Sequence, residues 1–204
     1  MKKPSMKYAL LLSSLYVAGC AADLQATNNG NGIDRSTTEP RPIIDTEFSN
    51  AGNQTTVNAS SYDEWVYFSF ENPVEPISVE EPSGDLAWDL GFRRFHIKLN
   101  GGISGTGLGA LAFSDEAKWE DVSAEEEYLS TVDKLDGADE NEDLDLAFLV
   151  AGGGWYQYEK TVLTPKPRIY VITSADGAKV KLEIDSYYDE AGSSARLSFT
   201  WQPL

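Results

Sequence analysis

The 204-residue chain has one cysteine, one histidine and two methionines, and each scarcity removes a class of chemistry. A single cysteine cannot close an intramolecular disulfide, so the core must hold the fold unaided. The one histidine, His96, cannot build a zinc site without cysteines. By strand alternation it faces away from Phe95 and Ile97, as an edge or surface residue would. No Gly-x-Ser-x-Gly elbow is present for a serine hydrolase. The many carboxylates offer no pair that spacing would single out for glycoside hydrolysis. Nothing in the sequence points to an enzyme. No apolar run approaches the ~20 residues that cross a bilayer as a helix. Basic residues are scarce as well, 16 Lys and Arg against 33 Asp and Glu, for a net charge of −17. Such a surface repels nucleic acid and anionic headgroups, which excludes both as partners.

What is present begins with an address. Lys2, Lys3 and Lys7 precede the apolar run Tyr8–Val17, and Val17-Ala18-Gly19-Cys20 places small residues before the only cysteine. The pattern resembles the lipobox of bacterial lipoproteins, in which cleavage precedes a cysteine whose thiol is lipidated. The expectation is a signal peptide over 1–19 and lipidation at Cys20, with palmitate as an acyl chain. The lipid would be the sole membrane attachment. Ala21 after the cysteine suggests sorting to the outer membrane. Loss of residues 1–19 removes three lysines and no acid, leaving 13 basic and 33 acidic residues, a charge of −20.

From Cys20 to about Gln54 the composition is Asn, Thr, Gly, Pro and Ser without periodicity, which reads as a flexible tether. A single domain is expected over 55–204. Within Glu64–Phe70, bulky residues alternate on both faces of a strand. The run Trp88–Leu99 reads as one central strand. Trp88, Leu90 and Phe92 share one parity while Phe95, Ile97 and Leu99 share the other, which predicts a bulge at Arg93-Arg94. Ser114–Leu146 holds fourteen Asp or Glu against Lys118 and Lys134 and predicts one short helix at most or a surface excursion. Strand patterns resume at the apolar run Leu146–Val150. They continue at Trp155–Tyr158 and Arg168–Ile172, and Asp176-Gly177 marks a turn. Val180, Leu182 and Ile184 alternate with polar neighbours, as do Leu197, Phe199 and Trp201. The fold class is all-β: one antiparallel domain with at most one short helix.

Two stretches invite a ligand and fail on detail. Gly101, Gly102, Gly105, Gly107 and Gly109 lack both the Gly-Lys-Ser/Thr of a P-loop and the helix that follows a dinucleotide fingerprint. They read as a tight turn or a close approach of backbone. Asp139-x-Asn141-x-Asp143-x-Asp145 begins like a calcium loop, but Leu144 stands where glycine is needed and Val150 where a bidentate glutamate belongs.

A family resemblance gathers these pieces. Ser61-Tyr62-x-x-Trp65-x-Tyr67-Phe68-Ser69-Phe70 and Leu86-x-Trp88-Asp89-Leu90 are similar to the HmuY-type haem-binding lipoproteins. So are Arg94-Phe95-x-Ile97-Lys98-Leu99-Asn100-x-Gly102-x-Ser104-Gly105 and the later Gly-Gly-Trp and Ala-Asp-Gly turns. The resemblance spans roughly Thr55–Trp201. It implies an extracytoplasmic haemophore, anchored or released, that captures haem and works with an outer-membrane receptor. In that family paired histidines or paired methionines hold the iron. One ligand follows Gly-Gly-Trp by a few residues, where this chain has Lys160. The other comes from the preceding excursion, which here contains neither residue type. Met1 and Met6 both lie in the expected signal peptide. The remaining candidates for a haem site are Tyr156 and Tyr158, as tyrosinates, and His96. Two functions stay open: binding of haem or a related porphyrin, or the same fold without haem ligation as a protein-interaction or small-ligand module.

Overall fold

The computed structural model describes residues 43–115, 117–124, 128–135 and 144–204. The expected signal peptide, Cys20, most of the tether and the start of the calcium-like stretch at Asp139 lie outside them. Strands β1 (Ile44–Glu47), β2 (Asn53–Asn58), β3 (Val66–Phe68), β4 (Leu90–Arg93), β5 (His96–Leu99) and β6 (Ala110–Ser114) come first. The short strands β7 (Lys134–Leu135) and β8 (Leu144–Asp145) pair with each other, and one four-residue helix, α1 (Ala147–Val150), follows. The chain ends with β9 (Tyr156–Glu159), β10 (Val162–Pro165), β11 (Ile169–Thr173), β12 (Lys179–Tyr188) and β13 (Ser194–Pro203). The domain is antiparallel β with a single short helix, as the alternation predicts. No helix among the described residues is long and apolar enough to cross a membrane.

A six-stranded sheet runs in the order β1-β2-β13-β12-β11-β6, so the C-terminal meander is its centre. The sheet reaches further toward the N-terminus than Thr55, because β1 and the start of β2 lie in the stretch that composition alone reads as tether. A smaller sheet, β3-β4-β5, packs against it. Phe92 stacks on Phe199 at 5.6 Å, and Phe68 meets Phe199 and Trp201 edge-on at 5.5 and 6.1 Å. Full burial of each such phenylalanine is worth about 1.5–3 kcal/mol, and the edge-on pairs add to that. The outer face of β6 and β11 is covered by the described part of the acidic excursion, where Val122, Trp119 and Tyr128 pack on Ala112, Ile169 and Val171.

Two local expectations are overturned. The parity change at Arg93-Arg94 is not a bulge. Arg93 pairs with His96, Phe92 with Ile97 and Leu90 with Leu99, so the run is a hairpin that turns at Arg94-Phe95. Opposed residues of a hairpin share a face, which puts all four apolar side chains in the core. The apolar run Leu146–Val150 enters α1 rather than a strand. Five apolar residues carry no period that separates helix from strand.

The glycine run is a structural corner. Asn100 is fully buried, and its Nδ2 donates to the carbonyls of Asp85 and Trp88, each at 2.7 Å, while Oδ1 accepts from the Gly107 amide at 3.2 Å. The loop closes so tightly around it that a Cβ on Gly105 would lie 2.1 Å from Asn100 Oδ1. Two buried carboxylates tie neighbouring segments. Asp89 accepts from the amides of Phe70 and Ala175, and Asp133 from those of Leu99 and Ala147, at 2.7 to 2.9 Å. Burial pushes both carboxyls up, while the amide bonds oppose it. Asn100→Ala strands two carbonyls and an amide, and its urea denaturation is expected to show a loss of about 3 kcal/mol or more, with no effect if the amide is merely space-filling.

Candidate functional site

The three consecutive glycines Gly152, Gly153 and Gly154 all have positive φ, between 58 and 78°. They swing the chain out of α1 so that Trp155 drops wholly into the core. Its indole Nε1 donates to the carbonyl of Phe95 at 3.0 Å, fastening the β9–β10 hairpin to the β4–β5 turn. Lys166 Nζ caps the carbonyls of Gly152 and Gly153 at 3.1 and 2.6 Å. Arg168 lies over the Phe113 ring and is paired with Asp115 at 2.8 Å.

Between the two fastened turns lies a cleft of about 400 Å³. One wall is Tyr156, Tyr158, Thr161 and Leu163 from the hairpin, and another is Arg94 and Phe95. Tyr187 and Tyr188 from the end of β12, with Ser194, complete it. Its size falls in the range of small-molecule sites, and its lining is mostly aromatic with a few polar groups. Four non-glycine residues have positive φ among the described residues: Arg94 (55°), Lys160 (47°), Thr161 (69°) and Ala195 (59°). Arg94 and Thr161 line the cleft, and the other two adjoin lining residues. Lys160-Thr161 is a two-residue hairpin loop with both φ values positive, a geometry that ordinarily selects Asn-Gly and is costly for β-branched threonine. Backbone strain gathered at one concavity is a mark of a functional site.

Tyr156 and Tyr158 thus fall together in the cleft, and the alternation of β9 puts both on one face. Tyr158 is 65% exposed, whereas burial raises the Tyr156 and Tyr187 hydroxyls and keeps them protonated at neutral pH. His96 is not brought to the lining. It stacks on Phe95 at 4.2 Å, its Nδ1 lies 3.2 Å from the Arg93 carbonyl, and burial lowers its basicity. Lys160 is exposed at the hairpin tip. No histidine, methionine or cysteine among the described residues lines the cleft. Among the described residues no group of three His, Cys, Asp or Glu could hold a metal ion. Sequence reasoning missed Tyr187, Tyr188 and Ser194. The adjacent tyrosines at the end of an alternating strand were a visible signal, but nothing local says which surface they join.

The tandem arginines diverge. Arg94 goes to the cleft, while Arg93 lies over Trp65 at 4.6 Å. Beside Arg93, Lys98 Nζ sits 4.5 to 5.1 Å from the ring centroids of Trp65, Tyr67 and Trp88 and donates to the Tyr67 hydroxyl at 2.9 Å. Gly91, opposite in the ladder, leaves room for the lysine stem, since a Cβ there would meet it at 2.8 Å. Burial lowers the ammonium to about 8, opposed by Asp133 and helped by Arg93.

An all-β antiparallel domain, with an aromatic cleft framed by strained turns, is the class that this fold and site define. The HmuY protein family matches residues 61–201, and the chain belongs to it. Three solved structures share the fold. An apo HmuY analog from Tannerella forsythia is 13% identical, with a TM-score of 0.52 over 78% of this chain and 95% of that one. A Bacteroides fragilis protein described as a lipoprotein is 16% identical, with a TM-score of 0.52 over 76% and 92%. A Bacteroides vulgatus protein described as HmuY-like and haem-binding is 16% identical, with a TM-score of 0.51 over 74% and 91%. No curated protein matches the sequence.

Replacing Lys160-Thr161 by Asn-Gly relieves the turn and is expected to raise stability by about 1–2 kcal/mol in urea melts; a loss would show that the turn is not strained. Lys98 sets a pH dependence. Below pH about 8 folded and unfolded chains both hold its proton. Between there and the ordinary lysine pKa of about 10.4 the unfolded chain binds more protons, so this group adds stability as pH rises. In Lys98→Met that contribution is gone, and urea midpoints at pH 7.5 and 9.5 are expected to shift in favour of the parent chain at the higher pH.

Proposed function

We propose that this chain is an envelope-anchored lipoprotein, attached through lipid at Cys20 on the outer membrane, that binds haem or a related porphyrin in the tyrosine-lined cleft as part of haem acquisition. The observation that carries this reading is the cleft itself: Phe95, Tyr156, Tyr158, Tyr187 and Tyr188 converge there in a member of the HmuY family. Bound haem would supply a planar apolar ring and an iron with open axial positions. The ring fits the chemistry of the walls, since aromatic side chains hold flat ligands by stacked and edge contacts.

The donor set does not fit iron ligation by paired histidines or methionines, because the described lining contains neither. Burial also works against ionisation of the Tyr156 phenol. Binding therefore rests on the ring faces rather than on the iron. The same lack of imidazole and thioether donors favours the second reading, in which the cleft serves a protein segment or another small ligand and has no part in haem traffic. An outer-membrane receptor is the partner expected under the first reading.

Titration of the lipid-free chain, starting after Cys20, with haemin and with metal-free protoporphyrin separates these readings. Saturable binding of both at micromolar concentration, with similar affinity and no sharp Soret band, is expected. Tyr158→Phe and His96→Ala should leave the haemin spectrum unchanged. Binding of neither ring would sink the porphyrin reading. A sharp Soret shift lost in Tyr158→Phe would assign the iron to a tyrosinate instead.

A further inference from the structure

Among the described residues Arg94 is the one charged residue of the cleft lining. In a chain with twice as many acids as bases, the described lining of this cleft contains a guanidinium and no carboxylate. Among the described residues Arg94 has no ion-pair partner, whereas Arg168 is matched to Asp115. Its hydrogen bonds are few and long, from Nη1 to the Ser60 carbonyl at 3.4 Å and from Nη2 to Ser194 Oγ at 3.3 Å. Most of the five guanidinium donors are left over, in a planar fork that suits a carboxylate. The position of the fork is nevertheless held. The Arg94 backbone amide donates to Ala59 O at 2.7 Å, and the guanidinium lies over the Tyr62 ring at 4.6 Å. Its charge reaches the Tyr187 hydroxyl across the cleft, partly opposing the larger upward push of burial there. A residue held at φ 55° in a hairpin turn, where glycine or asparagine is at ease, carries a backbone cost that its side chain must offset elsewhere.

We propose that Arg94 is the anion-recognising residue of the cleft and makes it selective for planar ligands that carry a peripheral carboxylate. This rests on the reading of the cleft as a porphyrin-class site and adds the chemistry by which it chooses among rings. The aromatic walls accept the ring whatever its substituents, and a charge-assisted bidentate bond to Arg94 orients it and rejects neutral rings. The overall negative charge works in the same direction, since it disfavours a carboxylate on most of this surface.

The test uses mesoporphyrin as the free acid and as its dimethyl ester, followed by tryptophan quenching in the lipid-free chain in one low-detergent buffer. The free acid is expected to bind about tenfold tighter than the ester or better. In Arg94→Gly, which suits the positive φ and preserves the turn, that preference should fall to within about twofold. Arg94→Lys keeps a charge without the fork and should retain part of the preference. Arg93→Gln removes an equal charge outside the cleft and should retain all of it. Equal binding of acid and ester by the parent chain, survival of the preference in Arg94→Gly, or its loss in Arg93→Gln would each overturn the assignment to Arg94 while leaving ring binding intact. Failure of both rings to bind overturns the cleft reading and this inference with it.

Discussion

The side-chain amide of Asn100 is the constraint on which the arrangement of the molecule depends. It is buried without solvent contact, and its three hydrogen bonds reach the segment before β4 and the loop after β5 at once. Gly105, Gly107 and Gly109 lie against it because backbone, not side chain, must approach within contact distance. A Cβ on Gly101 would lie 2.0 Å from the Gly109 carbonyl. Asp89 and Asp133 extend the same logic: each carboxylate bridges two amides from distant parts of the chain, and each resists burial less because both oxygens are used. With these groups satisfied, the small sheet is held on the large one at a fixed position.

The cleft inherits that rigidity. Two of its walls belong to separate hairpins, and the Trp155 indole bond to Phe95 O fastens one to the other. The glycine turn before Trp155 and the cations that cap its carbonyls serve the same end, since they bring a large indole into the core directly beside a surface concavity. Strain is then tolerated at the rim because the base is over-determined, and residues such as Thr161 and Arg94 can hold backbone shapes they would not choose alone. A preorganised aromatic cleft would lose little freedom if a flat ligand entered it.

Much of the fold was legible from period-two alternation. Val180, Leu182 and Ile184 and then Leu197, Phe199 and Trp201 are buried as their parity requires, and Asp176-Gly177 turns between β11 and β12. The exception at Arg93-Arg94 is instructive, because a bulge and a two-residue hairpin both reverse parity along the chain. Only the cross-strand partners Phe92 and Ile97 distinguish them. The Leu146–Val150 run was too short to show a period at all. Of the candidate site residues, Tyr156 and Tyr158 lie in the cleft and His96 lies beside it, stacked on the Phe95 that lines it.

What the sequence determined by itself is the class of the molecule: an acidic all-β chain, poor in histidine, cysteine and methionine, with the motifs of one family. Those properties are local or compositional, and each can be read within a window of a few residues. What the tertiary structure decided is the site. Residues 94, 156 and 187 are far apart in sequence, and nothing in their immediate neighbours says that they meet. They meet because antiparallel pairing brings β12 beside β13 and one buried indole joins two turns. The same geometry sends Arg94 into the cleft and Arg93 onto Trp65, two adjacent and identical side chains separated by a single reversal of the backbone.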